Sequence, residues 1–237
     1  MLAYRKLFSK RNACKIDPLP RFNVVIQLLR DIKAKSLLDL GCGSGNLTLR
    51  IAQVIEANEV YGIDIDDEAL RKAKIKGIKT IKVDLSKEYI PLPNESIDIV
   101  TALEVIEHLL NPDHMIKEAH RVLKKGGYFL VTTPNLASWI NRIIMLLGYQ
   151  PCNAEVSTEI LAGVPWRAYS FTKPSRHIRP FTLRALIELL RYHGFKVVKV
   201  KGAPGVYPKH KVFQLLDKLF AKRSPLARRL IVLALKP

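Results

Sequence analysis

Short apolar runs alternate with amphipathic segments along the first 135 residues. The run at 36–40 ends in a glycine-rich turn, and apolar residues at helical spacing follow from Leu47 to Ile55. Buried strands produce such runs, whereas helices place apolar residues three or four positions apart. The pattern repeats, with further strands predicted at 59–65, 80–85, 96–104 and 127–135. Five strands in this order, separated by helices, predict a doubly wound α/β sheet.

The helix before the fifth strand has the clearest predicted ends. Asn111 is its expected N-cap, Pro112 stands at its first position, and two lysines precede a glycine pair at 126–127. Proline suits the first turn of a helix and glycine its end. We therefore predict a helix that runs over 111–127.

The pattern changes after residue 135. The sequence predicts a short apolar helix at 137–148, an irregular stretch, and an amphipathic helix at 181–194 with Thr182 as its N-cap. A sixth strand at 195–202, a basic helix at 209–223 and a seventh strand at 229–236 follow. We divide the chain into an N-terminal arm and helix (1–35), a core (36–135), and a segment that covers the substrate and completes the same sheet (136–237).

Composition excludes several classes of protein. No apolar run approaches the roughly 18 residues that a membrane-spanning helix requires. The N-terminus has no apolar signal-peptide region, and Cys14, Cys42 and Cys152 are scattered without a CxxC pair. We expect three free thiols in a cytoplasmic protein.

Positive charge is concentrated in the second part of the chain. Residues 1–135 hold 21 Lys and Arg against 17 Asp and Glu, whereas residues 136–237 hold 18 against 4. This asymmetry indicates an anionic partner, although a generally basic surface is an alternative. The basic helix at 209–223 can lie on an anionic membrane surface or cover the substrate pocket as a lid. Aromatic residues interleave with arginines and lysines in this part, an arrangement that can also stack bases and hold phosphates: Trp139, Trp166, Tyr169 and Phe171, with Arg167, Lys173, Arg176 and Arg179. Packing in the core is the alternative role of each aromatic residue.

A glycine turn between the first strand and helix is the leading candidate for a cofactor site. It reads Asp39-Leu40-Gly41-Cys42-Gly43-Ser44-Gly45. Glycines let the backbone turn sharply and let a ligand lie directly on it. A dinucleotide is the main rival, but the third glycine of GxGxxG is absent. Asp39 would also repel a pyrophosphate, whereas it can balance the ammonium of a methionine moiety.

Two further acids end the next strands. Asp64 follows the second strand, where a carboxylate can accept both hydroxyls of a ribose. Asp84 is predicted to end the third strand, where an acid can accept from an adenine amino group. Open α/β sheets bind ligands outside the carboxyl ends of their strands, which is where all three acids are expected.

These segments, with EVIEHL at 104–109 and RVLKKGGYFLVTTPN at 121–135, resemble class I S-adenosylmethionine-dependent methyltransferases. More narrowly they resemble the branch that contains ubiquinone-pathway O-methyltransferases. The resemblance is specific over 36–135 and looser beyond. It implies a Rossmann-like seven-stranded sheet with an antiparallel last strand, to which we add a basic helical lid. It also implies S-adenosylmethionine as cofactor, with Asp39, Gly41, Gly43 and Gly45 on the methionine part, Asp64 on ribose and Asp84 on adenine. Four further residues are predicted to bind the cofactor: Cys42, Ile65, Leu85 and Glu104.

The segment from Glu104 to His108 has three interpretations. Glu104 contacts the methionine end of the donor while His108 packs or acts as a base, or the cluster is purely structural. Alternatively, Glu104, Glu107 and His108 lie on one helical face and bind Mg²⁺ or Mn²⁺ with His177. The third set resembles the metal site of small-RNA 2′-O-methyltransferases. We take His108 and His177 as the candidate catalytic residues.

Three functions follow. The first is O-methylation of a small or lipid-linked anionic acceptor. The second is RNA methylation of the 2′-O type, with a metal held by Glu104, Glu107, His108 and His177. The third is a cofactor-binding partner protein without catalysis.

Overall fold

Seven strands lie within the part of the chain that the structure describes. The structure is a computed structural model that describes residues 20–165, 174–205 and 211–237. Residues 1–19, with Cys14, and the predicted acceptor residues Trp166, Arg167, Tyr169, Phe171 and Lys173 lie outside the described part. The strands are β1 (Ser36–Leu40), β2 (Glu59–Asp64), β3 (Lys79–Lys82), β4 (Ile97–Leu103), β5 (Leu123–Pro134), β6 (Lys196–Ala203) and β7 (Arg229–Leu235).

Helices connect these strands. They are α1 (Pro20–Leu29), α2 (Asn46–Ile55), α3 (Asp67–Ile75), α4 (Pro112–Val122), α5 (Trp139–Leu146), α6 (Leu183–Tyr192) and α7 (Lys211–Ala221). The predicted N-caps are present: the Asn111 side chain accepts from the His114 N–H, and the Thr182 hydroxyl accepts from the Ala185 N–H. None of the helices in the described residues is long and apolar enough to cross a membrane.

The strands form a single sheet in the order β3-β2-β1-β4-β5-β7-β6. β1 pairs in parallel with β2 and β4, and β7 runs antiparallel to both β5 and β6. This confirms the predicted Rossmann-like sheet with its antiparallel last strand. The parallel order places the carboxyl ends of β1, β2 and β4 side by side at one edge.

Apolar layers cover both faces of the sheet. On one face α4 and α6 bury Met115, Ile116, Leu186 and Leu190 against it. On the other face α1, α2 and α3 bury residues such as Leu29, Ile51 and Leu70. Helices on both faces explain why the parallel strands read as continuous apolar runs.

Two predicted boundaries are wrong. α4 ends at Val122 and not near Gly127, since Leu123 already pairs with Ile97 of β4 and begins β5. β3 ends at Lys82 and not at residue 85, because the chain then enters a turn in which the N–H groups of Lys87 and Glu88 donate to the Asp84 carbonyl. Asp84 therefore lies in a loop beyond the strand.

The predicted basic helix is present as α7, and it packs against α5. The Trp139 indole stacks on Phe220, with ring centroids 5.2 Å apart. The Nε1–H of Trp139 donates to the buried Asp217 carboxylate at 2.6 Å. The role of this helix as a lid stays a prediction.

Candidate functional site

The turn after β1 has the backbone that its glycines allow. Gly41 and Gly43 have φ values of 72° and 51°, and Gly45 caps α2. A Cβ at residue 41 would lie 2.4 Å from Val105 Cγ2, whereas a Cβ at residue 43 would meet nothing within 4 Å. Gly41 is therefore required by packing. The open side of Gly43 leaves room for a cofactor to lie against the backbone.

Asp39 is buried directly beneath this turn. Its carboxylate accepts hydrogen bonds from the hydroxyls of Thr48, at 2.5 Å, and Thr101, at 2.7 Å. Burial raises the pKa of Asp39 to about 6, so the group is mostly ionised at neutral pH. A fixed negative charge at this place suits the ammonium of an amino-acid moiety. The two threonines were not predicted, although a polar Thr101 within the apolar run at 96–104 was a usable signal.

Asp64 joins the end of β2 to the glycine turn. Its Oδ2 accepts from the Gly43 N–H at 2.8 Å, and its Oδ1 accepts from the N–H groups of Ile65 and Asp66. The Ile65 side chain itself is exposed. The carboxylate therefore lies beside the open side of Gly43, where the predicted ribose would bind.

Asp84 and Leu85 lie in the loop after β3. The Asp84 carboxylate accepts from the Ser86 N–H at 2.9 Å and lies 3.5 Å from the Lys87 ammonium. Leu85 is buried. The main-chain bond from Val83 to Asp64 ties this loop to the end of β2, so the predicted adenine and ribose residues are neighbours.

Cys42 contributes packing beneath the turn. Its thiol is buried, and a Cβ at Gly62 of β2 would approach its Sγ to 2.7 Å. Burial raises the pKa of the Cys42 thiol to about 12, so the group is neutral. With its side chain directed inward, residue 42 can meet a cofactor only through its main chain.

The segment after β4 does not form the predicted helical face. Only Ile106–His108 makes a 3₁₀ turn, and Glu104 precedes it with φ at 58°. The Glu104 N–H donates to the Thr132 carbonyl at 3.0 Å, which holds it to β5. Its carboxylate accepts from the Thr132 hydroxyl at 3.0 Å and lies 3.0 Å from Arg229 Nε. Glu104 therefore does not share a helical face with Glu107 and His108.

Glu107 and the two candidate histidines do come together. The Glu107 carbonyl accepts from the N–H groups of Ile178 and Arg179, which brings the segment around His177 to this turn. The rings of His108 and His177 have centroids 4.9 Å apart. Glu107, His108 and His177 each offer one possible ligand atom for a metal, and these three atoms lie within 4.8 Å of one another.

The charge states of this cluster are set by burial. Burial, together with the nearby Glu104 carboxylate, raises the pKa of Glu107 to about 8. Glu107 Oε2 accepts from the Thr133 hydroxyl, while Oε1 has no hydrogen-bond partner among the described residues. Burial also lowers the pKa of His177, which favours its neutral form at neutral pH.

Glu155 supports this cluster and was not predicted. Its carboxylate accepts from the N–H groups of Ser175, Arg176 and His177, and lies 3.5 Å from His177 Nδ1. It lies in the irregular stretch before the predicted aromatic and basic segment, where no periodicity marks it. The sequence held no signal for this contact.

The glycine turn and the histidine cluster are adjacent. Val105, which packs against Gly41, lies between Glu104 and the 3₁₀ turn that carries His108. The Thr101 hydroxyl, which binds Asp39, belongs to the same strand that leads to Glu104. A cofactor on the turn would therefore have the histidine pair as a neighbour.

Comparisons with known proteins identify the family of this chain. Residues 11–200 match a protein family described as a methyltransferase domain. A probable S-adenosylmethionine-dependent methyltransferase of Mycolicibacterium smegmatis is 35% identical over 116 residues, which are 48% of this chain and 44% of that protein. A ubiquinone biosynthesis O-methyltransferase of Photorhabdus laumondii is 31% identical over 137 residues, 55% of this chain and 56% of that protein. The chain thus spans about half the length of these relatives.

Solved structures share the fold. An S-adenosylmethionine-dependent methyltransferase of Thermotoga maritima, described as a possible histamine N-methyltransferase, has a TM-score of 0.62 at 20% identity and covers 92% of this chain and 88% of its own. A methyltransferase of Aquifex aeolicus has a TM-score of 0.59 at 17% identity, and the match covers 100% of this chain and 98% of that protein's chain. The family match favours an enzyme over the non-catalytic alternative. The chain belongs to the methyltransferase-domain family.

Proposed function

We propose that this methyltransferase methylates a hydroxyl group on a small or lipid-linked anionic acceptor, which binds beside His108 and His177. The observation that carries the proposal is the histidine pair next to the glycine turn, its rings 4.9 Å apart. A hydroxyl acceptor must lose its proton, and a neutral imidazole is suited to take it.

The residues around the turn fit the cofactor. Asp39 offers a buried charge for the ammonium, Gly43 an open backbone, and Asp64 a carboxylate for the ribose. When bound, S-adenosylmethionine supplies an electrophilic methyl group. The protein's own task is to hold the acceptor oxygen in line with that group and to exclude water.

Proton removal falls to His177 and His108. The lowered pKa of His177 keeps its ring neutral at pH 7 and able to accept a proton. His108 Nδ1 lies 3.1 Å from the Arg176 carbonyl, which fixes the orientation of that ring. The pair therefore combines an available base with an oriented neighbour.

Cations near the pair support an anionic acceptor. Arg229 and Arg21 approach the Glu104 carboxylate, at 3.0 Å and 4.0 Å. Arg179 donates to the Leu110 carbonyl beside the 3₁₀ turn. Two guanidinium groups on one carboxylate leave excess positive charge, which can attract a phosphate or carboxylate of the acceptor. The relatives named ubiquinone biosynthesis O-methyltransferases are consistent with a lipid-linked acceptor.

A metal-assisted reaction is the second candidate, and the Glu107, His108 and His177 cluster favours it. His108 Nδ1 lies 3.1 Å from the Arg176 carbonyl, which leaves its Nε2 for a metal, as in many metal sites. Two imidazoles and one carboxylate suit a divalent transition metal. Glu104 is not part of this group, because it is paired with Arg229. RNA methylation of the 2′-O type would use the same metal.

Labelled donor and fractionated cell extract test both candidates. Methyl label in the organic or small-molecule fraction, unaffected by a chelator, is the result that we expect. His108→Asn and His177→Asn should each lower transfer about a hundredfold, while S-adenosylhomocysteine still binds. His114→Asn, at an imidazole outside the cluster, is the matched control. Label in RNA that a chelator abolishes would support the metal-dependent RNA reaction, and label in protein would refute both.

A further inference from the structure

Helices α5 and α7 form a layer beside the edge strand β6, and the inner face of α7 is fully used. Its Leu216 and Phe220 pack against Trp139, Ile140 and Ile144 of α5. The buried Asp217 on the same face accepts from Trp139. The opposite face of α7 has a different character.

Apolar side chains cover that outer face. Val212, Leu215 and Leu219 are exposed, and their spacing of three, four and seven residues puts them on one stripe of the helix. Leu215 is 68% exposed. The end of α5 adds Ile143, Leu146 and Leu147, of which Leu146 is 86% exposed. Groups of exposed apolar residues of this kind mark interaction surfaces.

Lysines border the apolar stripe. Lys211, Lys218 and Lys222 are exposed. The helical repeat places them on a second stripe of α7, beside Leu215. After Glu188 the sequence contains 12 Lys and Arg and one acid, Asp217, which is buried. The described residues that follow Glu188 therefore expose no carboxylate side chain that would repel an anionic surface.

We propose that the outer face of α5 and α7 binds the surface of an anionic lipid bilayer. Leucine and isoleucine side chains would enter the boundary between headgroups and acyl chains, while the lysines contact lipid phosphates. RNA would use the lysines but would gain nothing from six exposed aliphatic side chains. This inference goes beyond the proposed function and does not depend on which acceptor is methylated.

Flotation of the full chain with lipid vesicles tests the proposal. The protein should float with vesicles in which about a third of the lipid is phosphatidylglycerol, and much less with phosphatidylcholine alone. Leu146→Glu combined with Leu215→Glu should lower binding about tenfold or more. Lys218→Gln combined with Lys222→Gln should lower it about three- to tenfold and reduce its sensitivity to salt.

A matched control lies at the opposite edge of the sheet. Ile75 of α3 is 76% exposed and Lys74 precedes it, so Ile75→Glu with Lys74→Gln makes similar changes away from the proposed surface. This variant should float like the wild type. Circular dichroism and S-adenosylhomocysteine binding verify that every variant is folded. The proposal is overturned if the wild type does not bind anionic vesicles, or if the control loses binding equally. It is also overturned if the Leu146 and Leu215 substitutions abolish a dimer or RNA binding and leave flotation unchanged.

Discussion

Replacing Gly43 with alanine separates cofactor binding from stability at the glycine turn. Residue 43 has φ at 51°, so a side chain there should cost about 1 kcal/mol of folding stability. The new Cβ would meet no protein atom within 4 Å, so packing adds no further cost. The methyl group instead occupies the open side of the turn. We expect S-adenosylhomocysteine affinity to fall about ten- to a hundredfold, or about 1.4 to 2.7 kcal/mol.

Gly41→Ala should instead reduce mainly the folding stability. Its Cβ would lie 2.4 Å from Val105 Cγ2, far inside ordinary contact distance. Overpacking of about 1–3 kcal/mol adds to the backbone cost, for a total loss of about 2–4 kcal/mol. Gly126→Ala is the control, since Gly126 also has a positive φ and open space but lies away from the site.

Urea unfolding and isothermal titration calorimetry with S-adenosylhomocysteine measure the two quantities. Gly43→Ala and Gly126→Ala should lose similar stability, and only the first should lose affinity. If Gly43→Ala binds the ligand like the wild type, the cofactor does not lie against residue 43 and the reasoning fails.

Three further substitutions test other parts of the site and fold. Thr101→Val removes a hydroxyl that donates to Asp39 and should raise the pKa of Asp39 above about 6. S-adenosylhomocysteine binding should then weaken several-fold near pH 6, whereas Thr101→Ser should leave it unchanged. In the folded protein the pKa of Glu107 is raised from 4.5 to about 8. Between these pH values the carboxyl is ionised mainly in the unfolded chain, so the folding stability falls as the pH rises. Glu107→Gln should therefore raise the melting temperature more at pH 8 than at pH 5, and equal changes would contradict the buried neutral carboxyl. Asp217→Ala removes the acceptor of the Trp139 N–H and should cost about 2–3 kcal/mol in urea unfolding, whereas Asp217→Asn should cost less.

Local sequence pattern was sufficient for the sheet and for the glycine turn after β1. Apolar runs marked β1 and β2, and glycines marked the turn between β1 and α2. Asp39 and Asp64 were placed correctly, because both belong to strands whose ends the turn residues define. Asp84 was placed on a strand that ends two residues earlier.

The contacts around Glu104 could not be predicted from the local sequence pattern. Glu104 was expected on a helix with Glu107, but its positive φ and its bonds to Thr132 of β5 depend on a neighbouring strand. Arg229 reads as an ordinary strand residue. It reaches Glu104 because the pairing of β5 with β7 aligns it with Pro134. Such contacts join distant parts of the chain and leave no periodic signal.

The position of β7 has a consequence for synthesis on the ribosome. β7 lies between β5 and β6 in the sheet but follows both in the chain. While the nascent chain emerges, β6 has no strand to pair with until residues 229–235 are available. A chain stalled before that point already contains the glycine turn and Asp39, yet it lacks the arginine that pairs with Glu104. Completion of the sheet and completion of the acceptor site are therefore one late event in translation.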